Sequence, residues 1–177
     1  MELIYRGKCW KFGDNLSVDH DLMPHEFSTA RETRLEILRE HVMEHLDPEF
    51  HKQTSPGDII VAGKRFGQGN PHIQGFLGIA GLKLGLVVES IPRGSFRNAV
   101  NAGVPFLPCC SNVTRQVETG DELLVNFETG EFRNLTRNLF IRYKPLDRIL
   151  LTTIAMGGWR PMFKRRAAAM KTTAQAG

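Results

Sequence analysis

Cysteine is scarce in this chain: Cys9, Cys109 and Cys110 are its only three. An odd count without framework spacing excludes a disulfide scaffold and points to a reducing compartment. Cys109-Cys110 lacks CxxC spacing, so a zinc or iron–sulfur site built from this chain alone is not expected. These thiols read as small buried groups beside a loop. No apolar run approaches the length of a membrane span. The first residues, Met1-Glu2-Leu3-Ile4-Tyr5-Arg6, lack the charged and apolar regions of a signal peptide. A cytoplasmic chain with no membrane contact is therefore expected. Tryptophan and tyrosine are also sparse, two of each, and none sits in a basic cluster. The net charge is only +4, scattered except for Lys164-Arg165-Arg166. Nucleic-acid patches usually interleave aromatic with basic residues, so no such partner is expected. The segment 167–177 after the basic run reads as a flexible C-terminal tail. Internal repeats and long linkers are absent too.

What is present suits one globular domain over residues 1–166. The 177 residues suffice for a real core, and 41% of them are hydrophobic against 24% charged. The most informative stretch runs from Gly57 to His72. It reads as a turn, the buried strand Ile59–Ala62, a glycine-rich loop Phe66–Gly69 and a helix start. Asn70 is expected as that helix's N-cap and Pro71 as its first residue, positions both types favour. A loop of this kind offers backbone N–H groups to an anion. Gly75, Gly78 and Gly81 inside the helix imply close packing.

Elsewhere, Leu3–Phe12 mixes apolar and polar residues like an edge strand, ended by Gly13-Asp14-Asn15. Thr29 and Glu32 have capping-box spacing. Leu35, Leu38, Val42 and Leu46 then mark one helical face, closed by Asp47-Pro48. Leu84–Val88 reads as a buried strand, Arg93–Ala102 as a helix capped by Gly103, and Val104–Leu107 as a third strand. Val113–Val117, Leu123–Phe127 and Leu139–Tyr143 look like strands, with turns at Gly120-Asp121 and Thr129-Gly130. Leu146–Met156 reads as a helix interrupted at Gly157-Gly158. Strand–helix units followed by an antiparallel section predict a compact α/β domain.

Several ordered blocks resemble one family. They are Trp10–Asn15; Asp19 with Leu22-Met23-Pro24; Pro56–Gly63; Glu89-Ser90; Arg93; Arg97–Gly103; Gly120–Leu123; Glu128–Glu131; and Gly157-Gly158. Over roughly residues 6–166 the chain resembles the small subunit of 3-isopropylmalate dehydratase, equivalent to the swivelling domain of aconitase. The resemblance implies an aconitase-like swivelling β/β/α domain. It also implies a large-subunit partner carrying a [4Fe–4S] cluster, whose iron acts as a Lewis acid on a small di- or tricarboxylate. The small subunit would close that site in a hydro-lyase, supplying a serine base and an arginine for a carboxylate.

The chain departs from the family at those groups. The family pattern Phe-Gly-Cys-Gly-Ser-Ser-Arg-Glu-His becomes Phe66-Gly67-Gln68-Gly69-Asn70-Pro71-His72-Ile73-Gln74. Both serines and the arginine are absent. His72 is left as the candidate catalytic residue, as acid/base or as donor to a carboxylate. Its alternative is a surface histidine in a first helical turn. Gly67, Gly69, Asn70, Arg93 and Arg97 are the candidate substrate contacts, against turn-forming, capping or solvated roles. His41 and His45 share i, i+4 spacing, but read as a solvated face rather than metal ligands, so no metal site is expected. A non-catalytic partner or ligand-binding subunit on the same scaffold is the alternative function.

Overall fold

The computed structural model describes residues 3–175. Its sheet contains β1 (Ile4–Lys11), β2 (Ile59–Ala62), β3 (Gly85–Val88), β4 (Phe106–Leu107), β5 (Glu122–Asn126), β6 (Glu131–Asn134) and β7 (Leu139–Arg142). Their spatial order is β4-β3-β2-β1-β5-β6-β7. β1 to β4 pair in parallel, whereas β1, β5, β6 and β7 pair antiparallel. The helices are α1 (His25–Thr29), α2 (Leu35–Leu38), α3 (Phe50–Gln53), α4 (Gln74–Gly81), α5 (Arg93–Ala102), α6 (Arg148–Ala155) and α7 (Trp159–Gln175). No helix among the described residues is long and apolar enough to cross a membrane.

Every residue of β2 and β3 is buried, as their unbroken apolar runs require in parallel strands. β1 is the junction of the two half-sheets rather than the expected edge. It pairs with β2 on one side and β5 on the other, and its burial alternates at Ile4–Arg6 before Cys9 and Trp10 are both buried. Local pattern encodes the alternation but not the number of neighbours.

The glycines of α4 allow the close packing their positions imply. A Cβ on Gly75 would lie 2.8 Å from Leu22 Cβ, and one on Gly78 would collide with Val42 and approach the Leu38 carbonyl oxygen to 2.8 Å. The facing segment is not the expected long helix. Only Leu35–Leu38 is helical, and Arg31 (φ 52°) and Met43 (φ 58°) adopt left-handed backbone. The capping box does not form. The Glu32 carboxylate turns forward to the Thr33 and Arg34 amides (2.8 Å each) and to the Arg34 guanidinium. Those hydrogen bonds, the guanidinium's first, hold its carboxyl at about 2, well below the usual range. Leu38 and Val42 are buried, but Leu35 and Leu46 are exposed.

Two further features of the sheet region differ from the sequence reading. Val113–Val117 is not a strand: Val113–Arg115 forms a tight helical turn after Asn112 (φ 58°), burying Val113 and Val117. β6 was not expected, because Phe132 is its only large apolar residue; Phe132 and Asn134 point inward. Gly157-Gly158 separates α6 from α7, and a Cβ on Gly103, the left-handed cap of α5, would lie 2.6 Å from the Gly157 carbonyl carbon. The segment expected as a tail lies on α7 as far as Gln175; residues 176–177 lie outside the described residues.

Asp58 locks β1 to the start of β2. Its buried carboxylate accepts from the Lys8 amide (2.7 Å), the Trp10 indole N–H (3.0 Å) and the Ser55 amide (3.0 Å). Gly7 permits this approach, because a Cβ there would lie 2.6 Å from Asp58 Oδ1. Asp58→Ala leaves three donors without their acceptor. It is expected to cost about 3 kcal/mol in urea unfolding.

A second buried carboxylate, Asp121, ties β5 to β6. Burial opposes its ionisation. Hydrogen bonds from the Glu118 amide (2.9 Å), the Asn134 side chain (2.7 Å) and the Arg137 guanidinium (2.7 Å) outweigh that and lower its pKa. A lowered folded-state value stabilises the fold above the unfolded pKa, and this contribution disappears as pH falls through the folded value. Asp121→Asn should therefore lower Tm at neutral pH, with the gap narrowing below about pH 3.9. Thermal unfolding across acidic pH measures it.

Candidate functional site

Beyond the strands, the segments after β1 and β2 remain zipped together. Phe12 N donates to the Val61 carbonyl, Gly63 N to Gly13, Asn15 N to Lys64, Gln68 N to Leu16 and Val18 N to Gln68, all at 2.7–3.1 Å. Asp14 Oδ1 accepts from the Lys64 amide (2.7 Å) in the space that a Gly63 side chain would fill. The two loops thus extend the β1–β2 pair past its C-terminal end, where ligands of parallel sheets bind.

Gly67 (φ +74°) and Gly69 (φ +96°) turn the second loop. The buried Gly67 carbonyl accepts from Ser95 Oγ in the first turns of α5. A Cβ at Gly67 would meet Ser95 Cβ at 3.1 Å and Phe76 Cζ at 3.2 Å, whereas one at Gly69 meets nothing within 4 Å. Among the described residues, nothing accepts a hydrogen bond from the Gly69 or Asn70 amides. Asn70 is not an N-cap, because α4 begins only at Gln74. Its carbonyl accepts from the His72 amide (2.8 Å). Pro71 packs against Gly94 and its carbonyl accepts from Asn98 Nδ2 (2.6 Å). Tertiary contacts to α5 thus hold residues 70–73 out of the helix.

This non-helical segment carries the half-buried His72 to the loop after β1. Its Nδ1 lies 2.5 Å from Asp19 Oδ1. Asp19 sits in the wide helical turn Val18–Leu22, pinned by Ser17. Burial of the neighbouring Asp21 carboxyl opposes its ionisation, but the Ser17 amide (2.6 Å) and hydroxyl (2.9 Å) prevail and lower its pKa. Ser28 Oγ also donates to Asp19 Oδ1 (3.3 Å), and His25 Nδ1 stands 3.6 Å from Asp19 Oδ2.

A cleft of about 780 Å³ opens beside His72. His72 and Gln74 form one wall, Asn98 and Asn101 of α5 another, and Trp159 and Lys164 of α7 a third. Arg93 and Arg97 are exposed on α5 and line no part of it. Arg93 precedes Gly94 and so flanks Pro71. The structure therefore brings together Gly67, Gly69, Asn70 and His72, and leaves the two arginines outside the cleft. His41 and His45 do not share a helical face. His41 Nδ1 pairs with Glu44 Oε2 (2.6 Å), and His45 Nδ1 donates to the His20 carbonyl (2.8 Å). The partnership of Asp19 with His72 and His25 was missed. Its only signal was that Asp19 and His72 each follow one of two strands that pair in parallel.

No family model matches the chain. Individual proteins do. It is 38% identical over 169 residues to an isopropylmalate/citramalate isomerase small subunit of Methanocaldococcus jannaschii, covering 95% of this chain and 98% of that one. It is 40% identical over 154 residues to a 3-isopropylmalate dehydratase small subunit of Archaeoglobus fulgidus, covering 86% and 90%. A crystal structure of 3-isopropylmalate dehydratase from M. jannaschii superposes with a TM-score of 0.84 at 26% identity, covering 96% of this chain and 99% of that one. The mixed sheet with its zipped loops is thus the fold of a dehydratase small subunit. The chain belongs to the 3-isopropylmalate dehydratase small-subunit family.

Gly67→Ala forces a side chain into left-handed backbone and against Ser95. It should destabilise the fold by about 2–3 kcal/mol, against about 1 kcal/mol for Gly69→Ala, where only the backbone term applies. Paired urea titrations measure the difference.

Proposed function

We propose that this chain is the small subunit of a hydro-lyase that adds or removes water on a small hydroxy di- or tricarboxylate, closing a site on a large subunit. The observation that carries this reading is family membership along nearly the whole chain, with the zipped loops delivering His72 to a cleft. The relatives' names cover isopropylmalate, citramalate and homoaconitase activities, so the common substrate class is a hydroxy acid with several carboxylates. In this reading residues 1–166 form the swivelling unit, α7 carries the chain on from it, and the setting is cytoplasmic.

The cysteines of this chain do not fit a cluster. Cys9 and Cys110 are buried, and burial above all pushes the Cys9 thiol up to about 12, leaving only Cys109 exposed. A [4Fe–4S] cluster, with its Lewis-acid chemistry, therefore belongs to the large subunit in this proposal. This chain's part is recognition. With His72 Nδ1 committed to Asp19, Nε2 remains to hydrogen-bond a polar group of the substrate. The Gly69 and Asn70 amides supply further donors, and Gly67 keeps the turn open to them. Arg93 and Arg97 contribute positive charge beside the loop.

A specific observation supports a second reading, a non-catalytic subunit on the same scaffold. The family's serine positions hold Asn70, exposed, and Pro71, packed on Gly94, so no hydroxyl reaches the cleft from either.

Anaerobic reconstitution with the large subunit and assay against hydroxy and unsaturated polycarboxylates separates the readings. His72→Ala should raise KM roughly ten- to hundredfold, the equivalent of about 1.5–3 kcal/mol for a hydrogen bond to a charged group. His72→Arg should retain most of the affinity. Unchanged kinetics in His72→Ala would remove the residue from the site, and a cluster-loaded complex that turns over none of these acids would favour the second reading.

A further inference from the structure

Two imidazoles converge on one carboxylate at the mouth of the cleft. His72 Nδ1 faces Asp19 Oδ1 at 2.5 Å, and His25 Nδ1 faces Asp19 Oδ2 at 3.6 Å. One ligand atom from each of the three residues lies within 4.8 Å of the others. We propose that Asp19, His25 and His72 form a site for a divalent transition-metal ion of the zinc, cobalt or nickel type.

Metal–ligand distances of about 2.1 Å place neighbouring donor atoms roughly 3–3.5 Å apart. The His25–Asp19 pair is near that spacing, the shorter His72–Asp19 hydrogen bond opens to it when the ion replaces its proton, and the exposed His25 ring closes the remainder. The donor set selects the metal class. Two imidazole nitrogens with one carboxylate suit zinc, cobalt, nickel and ferrous iron, whereas magnesium and calcium prefer all-oxygen cages. Ser28 Oγ donates to Asp19 Oδ1 and so orients the carboxylate, as outer groups of metal sites do. Three protein ligands leave coordination positions open for water or a ligand oxygen. Ser28 and His72 both line the cleft, so the site borders it.

The charge balance gives the site a purpose. Asp19 with two neutral imidazoles and a divalent ion carries a net charge of +1. Without the ion the same three groups carry −1, so the ion turns a site that repels a carboxylate into one that attracts it. Metal on Nδ1 also keeps the His72 proton on Nε2, which leaves Nε2–H as a permanent donor. The inference goes beyond the hydro-lyase reading and does not need it, because binding is read on this chain alone.

The test is titration of the untagged, chelator-stripped chain with Zn²⁺ and Co²⁺, following heat and the visible Co²⁺ bands. One equivalent is expected. Asp19→Asn and His25→Ala should each weaken binding roughly tenfold or more. A neighbouring surface pair, His20 and His45, whose rings lie 4.4 Å apart, is the control. His20→Ala should leave affinity unchanged. Failure to bind one equivalent, or binding that is lost in His20→Ala but kept in His25→Ala, overturns the site. Circular dichroism of each variant verifies that the fold is intact.

Discussion

Everything at the site depends on the register between β1 and β2, and a buried carboxylate sets that register. Asp58 reaches across the centre of the sheet to the Lys8 amide and the Trp10 indole, so the two strands have one favoured alignment. Without it the parallel pair would rest on short apolar runs, which specify alignment weakly. Because the strands are aligned, their loops leave side by side and stay hydrogen-bonded for several more residues. Asp19 meets His72 only because of this. A fold contact made entirely on the structural side of the molecule thus positions the chemical side.

The same logic explains how the loop tolerates its altered composition. Asn70-Pro71 offers a local helix start, but α4 begins only at Gln74. Here α5 takes over the positioning role. Ser95 holds the Gly67 carbonyl, Asn98 holds the Pro71 carbonyl, and Gly94 makes room for the proline ring. Tertiary hydrogen bonds, not helical ones, hold this part of the loop. It ends with His72 directed at a carboxylate, where a longer and permanently charged side chain would otherwise stand.

Legibility followed the range of the interactions. β2, β3 and α5 were readable because local chemistry decides them: unbroken apolar runs, and a glycine in left-handed backbone at a helix end. The helix expected through Leu35–Leu46 was not found, since Arg31 and Met43 break the chain to fit Leu38 and Val42 against the glycines of α4. β6 escaped notice because a strand held by neighbours on both sides needs little hydrophobic patterning of its own. At the site, Gly67, Gly69 and His72 stood out by type and order. The role of Asp19 did not, because its partner lies 53 residues away and only the register joins them.

The glycine pair between α6 and α7 has a mechanical meaning. Both residues have φ values open only to glycine at little cost, +85° and +95°, and they rest on the capped end of α5. The wall of the cleft that carries Trp159 and Lys164 follows this glycine pair directly in the chain and packs on α5 and α6. The direction in which α7 leaves to form that wall is therefore fixed by two backbone conformations that a side chain at either position would strain.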